Sequence, residues 1–81
     1  MTLNQAIAIR VREILKEKGM TQYKLEQATS IYHSTMTNIL NNKTKASNIK
    51  NIALIIRELG VPLNEFFNSK IFDYDNLDID D

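Results

Sequence analysis

The stretch TQYKLEQATSIYHSTMTNILNN, residues 21–42, decides the fold. Thr21 follows Gly19-Met20 and makes a good helix N-cap, because its hydroxyl can accept from a first-turn backbone N–H that lacks a helical partner. Met20 and Leu25 then take the N′ and N4 positions of a hydrophobic staple. Leu25 and Ala28 set one apolar stripe, and Gln22, Tyr23, Lys24, Glu26 and Gln27 take the other faces. A second stripe follows at Ile31, Met36, Ile39 and Leu40, with Thr35 on the same side. Tyr32, His33, Ser34, Thr37 and Asn38 are left to face outward. Thr29 and Ser30 are turn formers, and a link that short makes the two helices cross steeply: a helix-turn-helix.

Working outward, residues 2–18 predict a first helix, with Leu3, Ile7, Val11, Ile14 and Leu15 at helical spacing. Arg10, Arg12, Glu13, Lys16, Glu17 and Lys18 fall on its wet side, and Gly19 is a natural stop. Beyond the motif, residues 41–46 read as a polar loop bearing lysines. Ser47 is the expected cap of a fourth helix whose Ile49, Ile52, Ile55, Ile56 and Leu59 face the core, ended by Gly60. Ala53 and Leu54 widen that apolar surface. Pro62 pre-sets the backbone for a short fifth helix carrying Leu63, Phe66 and Phe67. The sequence therefore predicts a compact all-α bundle of five helices over residues 1–68, followed by a short acidic C-terminal tail over residues 69–81.

Composition narrows the function classes. An 81-residue chain holds one small core and has no room for a separate catalytic domain. It contains no cysteine and a single histidine, which removes disulfides and cysteine-based zinc sites and leaves little for nucleophilic catalysis. No glycine-rich phosphate loop is present, and the aspartate pairs of the tail have little means to hold a ligand geometry. An enzyme, a cofactor and a metal site are therefore not expected. No apolar run approaches the length of a membrane span, and polar Asn4, Gln5, Arg10 and Arg12 break any signal-like segment, so a cytoplasmic protein is expected. The formal net charge is zero, yet the ten Lys and Arg all lie between Arg10 and Lys70 while five of the ten acids fall in the last nine residues. Up to Phe72 the balance is +5. A basic body with an acidic tail suits a polyanionic partner.

Gln22, Leu25 and Ala28, then Ser30-Ile31, Ser34-Thr35-Met36 and Ile39, followed by Asn41-Asn42-Lys43, resemble the helix-turn-helix of the Cro and phage-repressor type, the lambda-repressor-like (XRE) DNA-binding domains. The resemblance runs on through Leu59-Gly60-Val61 and residues 63–67, and so covers roughly residues 5–68. The chain departs from that pattern at three places. Leu15 and Leu40 stand where the family commonly has a buried arginine–glutamate pair, a physically coherent replacement that predicts contact between the two leucines. Ser30 and Asn42 occupy positions often held by glycine, Asn42 being the milder change. Tyr32 stands where a Ser or Thr usually caps the second helix of the motif.

The resemblance implies a sequence-specific regulator of transcription, a repressor that occludes its operator as a homodimer on double-stranded DNA. It places His33, Ser34, Thr37 and Asn38 against base edges in the major groove. Asn38 can bond bidentately to adenine, His33 can donate to a guanine acceptor, and the Thr37 methyl can meet a thymine methyl. Gln22, Tyr23, Asn41, Lys43, Thr44 and Lys45 are the phosphate candidates, Gln22 at a helix N-terminus where unpaired amides favour an anion. Leu54, Phe66, Phe67 and Phe72 are the dimer candidates. The tail interleaves Ile71, Phe72, Tyr74, Leu77 and Ile79 with aspartates. It is expected to dock on its own domain or on a dimer partner, to stay disordered, or to cover the basic face, and it is also the surface expected to meet any other protein partner. The alternative function is an antitoxin or another interaction component that binds DNA only together with a partner.

Overall fold

The computed structural model describes residues 1–41 and 48–79. Five α-helices follow one another: α1 Leu3–Lys18, α2 Gln22–Thr29, α3 His33–Leu40, α4 Ile49–Leu59 and α5 Leu63–Phe66. Two single 3-10 turns, Lys70–Phe72 and Tyr74–Asn76, continue the chain, and the described residues contain no strand. α1 packs on α3 and α4, α2 on α3 and α4, and α5 on α4.

Local chemistry sets the helix ends. Thr2 and Gln5 form a capping box on α1, the Thr2 hydroxyl accepting from the Gln5 amide while the Gln5 side chain accepts from the Thr2 amide. Gly19 ends α1 at φ 62°, with its amide donating to the Lys16 carbonyl and the Met20 amide to Leu15, a Schellman closure. Thr21 caps α2 by accepting from the Lys24 amide at 3.1 Å, as its position predicts. α4 is capped by Asn48, whose carbonyl oxygen accepts from the Lys50 and Asn51 amides, and not by Ser47, which lies outside the described residues. Gly60 ends α4 at φ 77°.

One core joins all five helices through Ile7, Val11, Ile14 and Leu15 of α1, Leu25 of α2, Ile31 before α3 and Met36, Ile39 and Leu40 within it. Ile52, Ile55, Ile56 and Leu59 of α4 and Phe66 of α5 complete it, with Met20, Val61 and Phe72 packed at its edge. Leu15 and Leu40 belong to this single cluster, so the positions of the family's ion pair are held here by apolar packing.

Several expected core positions are exposed. Leu3 and Ile49 are the first residues of their helices, one turn outside the first side chains that α1 and α4 bury, and Ile49 is 84% exposed. Ala28 also faces solvent, and Thr29 takes its place in the core. A buried threonine is tolerable because its hydroxyl donates to the Leu25 carbonyl at 2.8 Å. Arg10 is not on the wet side: its guanidinium donates to the Phe66 and Glu65 carbonyls and covers the end of α5.

Candidate nucleic-acid interface

The turn between α2 and α3 is built by Thr29, Ser30 and Ile31. Ser30 is left-handed at φ 60°, and its amide donates to the Glu26 carbonyl at 2.9 Å to close α2. It is the one non-glycine residue with positive φ among the described residues, at the position where the family commonly has glycine. Thr29 holds the strained neighbour in place, since its hydroxyl also accepts from the Ile31 amide at 3.3 Å. Ile31 is buried, which anchors the entry to α3. Tyr32 occupies the N-cap of α3 without a capping side-chain bond and is 83% exposed, so its side chain serves neither cap nor core.

α3 is fixed to the core by Met36, Ile39 and Leu40. Residues 33, 34, 37 and 38 follow the i, i+1, i+4, i+5 spacing of a single helix face. His33, Ser34 and Asn38 are exposed on it and Thr37 is half-buried, so the four predicted readers are brought together.

A closed set of side-chain hydrogen bonds ties this face to α2. The Gln22 amide nitrogen donates to Glu26 Oε2 at 2.9 Å and to Thr37 Oγ1 at 3.1 Å. His33 Nδ1 lies 2.8 Å from the same Glu26 oxygen, and His33 Nε2 lies 3.5 Å from Thr37 Oγ1. Glu26 is only 11% exposed at its side chain, whereas His33 is 77% exposed. The Gln22 bond is the main cause that holds the Glu26 carboxyl below its ordinary range. Partial desolvation opposes it, and the hydrogen bond and charge of His33 add to it. Both Gln22 amide hydrogens are thus engaged inside the protein, so a phosphate contact through that side chain requires it to release Glu26 or Thr37.

The other phosphate candidates divide. Tyr23 is 68% exposed on α2. Asn41 is exposed just past α3, where its side-chain oxygen accepts from the Arg12 guanidinium. Lys43, Thr44 and Lys45 lie outside the described residues.

A family model for the Cro/C1-type HTH DNA-binding domain matches residues 10–70. The chain belongs to this family. No curated protein and no solved structure matches the chain. The matched segment contains α2 and α3 entire and most of α1, so the Cro/C1-type domain is the all-helical body described above. Among the described residues no group of His, Asp and Glu could hold a metal ion, and no helix is long and apolar enough to cross a membrane.

Two residues of this Cro/C1-type surface were not legible as site residues. Glu26 carries only a weak signal, the i, i+4 pairing with Gln22 on one face of α2. Arg12 gives none, because its partners, the Leu40 carbonyl and Asn41, lie 28 and 29 residues away. Among the dimer candidates, Phe66 is corrected: it is 0% exposed in the core of its own chain and offers no surface to a partner. Phe72 is half-buried against it, with ring centroids 5.9 Å apart. Leu54 is half-buried, and Phe67 is 40% exposed.

Proposed function

We propose that this Cro/C1-type domain is a sequence-specific transcriptional regulator that binds double-stranded DNA in the cytoplasm as a homodimer and represses by occluding an operator. The observation that carries the reading is the polar face of α3: a helix fastened to the core by Met36, Ile39 and Leu40 presents His33, Ser34, Thr37 and Asn38 together on its opposite side. A major groove admits such a helix, and these side chains match its donors, acceptors and methyl groups. Asn38 is the reader suited to adenine, Ser34 to either purine or pyrimidine edges, and the Thr37 methyl to thymine. Asn41, Lys43, Thr44 and Lys45, which follow α3 in the chain, and at the start of α2 Tyr23 and the backbone amide of Gln22, whose side chain stays with Glu26 and Thr37, are the candidates for phosphate contacts that set register without reading sequence. Leu54 and Phe67 are the surface candidates for the two-fold contact that places two recognition helices about 34 Å apart.

The test is affinity selection of the full chain from a random duplex pool at about 150 mM salt, where weak non-specific binding is screened. Enrichment of an inverted repeat with half-sites about one helical turn apart is the expected result. Enrichment of an unpaired half-site refutes the homodimer, and absence of any enriched sequence refutes autonomous base reading and points to a regulator that needs a protein partner.

A further inference from the structure

The ring of Gln22, Glu26, His33 and Thr37 has donor and acceptor directions that can be followed around it. Glu26 Oε2 receives two bonds, from Gln22 and from His33 Nδ1. A carboxylate only accepts, so Nδ1 must carry the hydrogen. Gln22 spends its second amide hydrogen on Thr37 Oγ1, which leaves the threonine hydroxyl hydrogen free to point at His33 Nε2, 3.5 Å away. In the neutral imidazole that nitrogen is the acceptor. With Nδ1 protonated, Nε2 has no hydrogen to give a guanine, and its one lone pair, held only loosely by the Thr37 hydroxyl at 3.5 Å, passes to a base amino group when that hydroxyl turns away.

From this geometry we infer that Glu26 is a specificity-determining positioning residue, which fixes His33 as the Nδ1–H tautomer and so makes its exposed edge a hydrogen-bond acceptor for an exocyclic amino group of cytosine or adenine. The inference rests on the reading of α3 as the major-groove helix. It reverses the role that the sequence suggests for His33, a donor to guanine. Glu26 acts through His33 and Gln22 and is itself largely covered, so its own contact with DNA is not required. The amino groups in question are the N4 of cytosine and the N6 of adenine, both displayed in the major groove, whereas guanine offers only acceptors there. A fixed acceptor therefore admits one set of bases and repels the other.

Two measurements on the full chain test this. His33 is the single histidine, so nitrogen NMR of the uniformly labelled protein at about pH 8, above the ordinary imidazole range, reports its tautomer without assignment ambiguity. The expected spectrum has Nδ1 protonated in the wild type and a mixture of tautomers in Glu26→Ala. Random-pool selection is then run on both proteins and on Glu26→Gln, which keeps the size and one acceptor oxygen and guards against a fold lost in the alanine variant. Discrimination at one base pair of the half-site should drop about tenfold in Glu26→Ala, with the remaining positions unchanged, and return in part in Glu26→Gln. Two results overturn the inference: Nε2 protonated in the wild type, or unchanged base preference in both variants while the wild type still selects a site. A wild type that selects no site overturns the DNA-reading premise, which is a separate failure from the other two.

Discussion

The Arg12 guanidinium of α1 donates through Nη2 to the side-chain oxygen of Asn41 at 2.6 Å and through Nε to the Leu40 carbonyl at 3.1 Å. One side chain thus covers the C-terminal end of α3, where carbonyls lack helical partners and a cation is favoured by the helix dipole. It also holds the first of the proposed phosphate-contact residues. Arg12→Ala should therefore weaken DNA binding about evenly across sequences, by about threefold to tenfold for one lost charge-assisted bond, without altering the selected motif. Equilibrium binding to the selected site and to a scrambled duplex checks it: a change confined to one base position would show that Arg12 reads sequence.

The turn of the motif carries strain that a single substitution should relieve. Ser30 holds φ 60° without glycine's freedom, at a cost of about 1 kcal/mol. Ser30→Gly should raise stability by about 0.5–1 kcal/mol, the gain being trimmed by the greater freedom of glycine in the unfolded chain. Thr29→Val should act in the opposite sense, because it strips the buried hydroxyl that serves the Leu25 carbonyl and the Ile31 amide, a loss of about 1–2 kcal/mol. Urea denaturation midpoints of the two variants, read at constant m-value, decide both signs.

How much could be read beforehand follows from the range of each interaction. Thr21, Gly19, Gly60 and the α3 stripe were legible because caps and helical periodicity act within four residues. Leu3, Ile49 and Ala28 were misplaced because periodicity marks a face and not how far a neighbouring helix covers it. The four base-facing candidates came from the family pattern and the helix spacing. The Glu26–His33 bond could not be found that way, since it depends on how α2 and α3 cross. Arg10 and Arg12 show the same limit: both read as solvated cations, and both are tied to carbonyls at the ends of distant helices.

Leu15 and Leu40 share one core cluster at 7% and 3% exposure. Leu15→Ala or Leu40→Ala should each cost about 2–5 kcal/mol through lost burial and the cavity left behind. Leu15→Arg alone should cost about 3–5 kcal/mol, because a charge is buried without a partner. The pair Leu15→Arg and Leu40→Glu should restore most of that loss if the two side chains face one another. A double-mutant cycle by chemical denaturation measures the coupling, and additive losses would show that the two leucines sit in separate parts of the cluster.

The segment after α5 is held by rings and by the chain's first residue. Phe66, Phe67 and Phe72 form a triangle with centroids 4.9 to 5.9 Å apart. The Met1 ammonium lies 3.0 Å from both the Asn76 carbonyl and the Asp78 carboxylate, and the Asp78 amide donates to the Met1 carbonyl. The aromatic contacts bury apolar area, whereas the ion pair is exposed and screened, so the two should differ in weight. Phe72→Ala should cost about 1–3 kcal/mol, below the loss for a fully buried phenylalanine. Asp78→Asn should cost less than about 1 kcal/mol. A chain ended after Phe72 keeps the triangle, so it should stay folded and, at about 150 mM salt, bind DNA within about threefold of the full protein. A tenfold rise in its affinity would instead mean that the tail aspartates compete with DNA for the basic face, the one outcome that would make the tail a regulator of binding rather than a brace for α1 and α5.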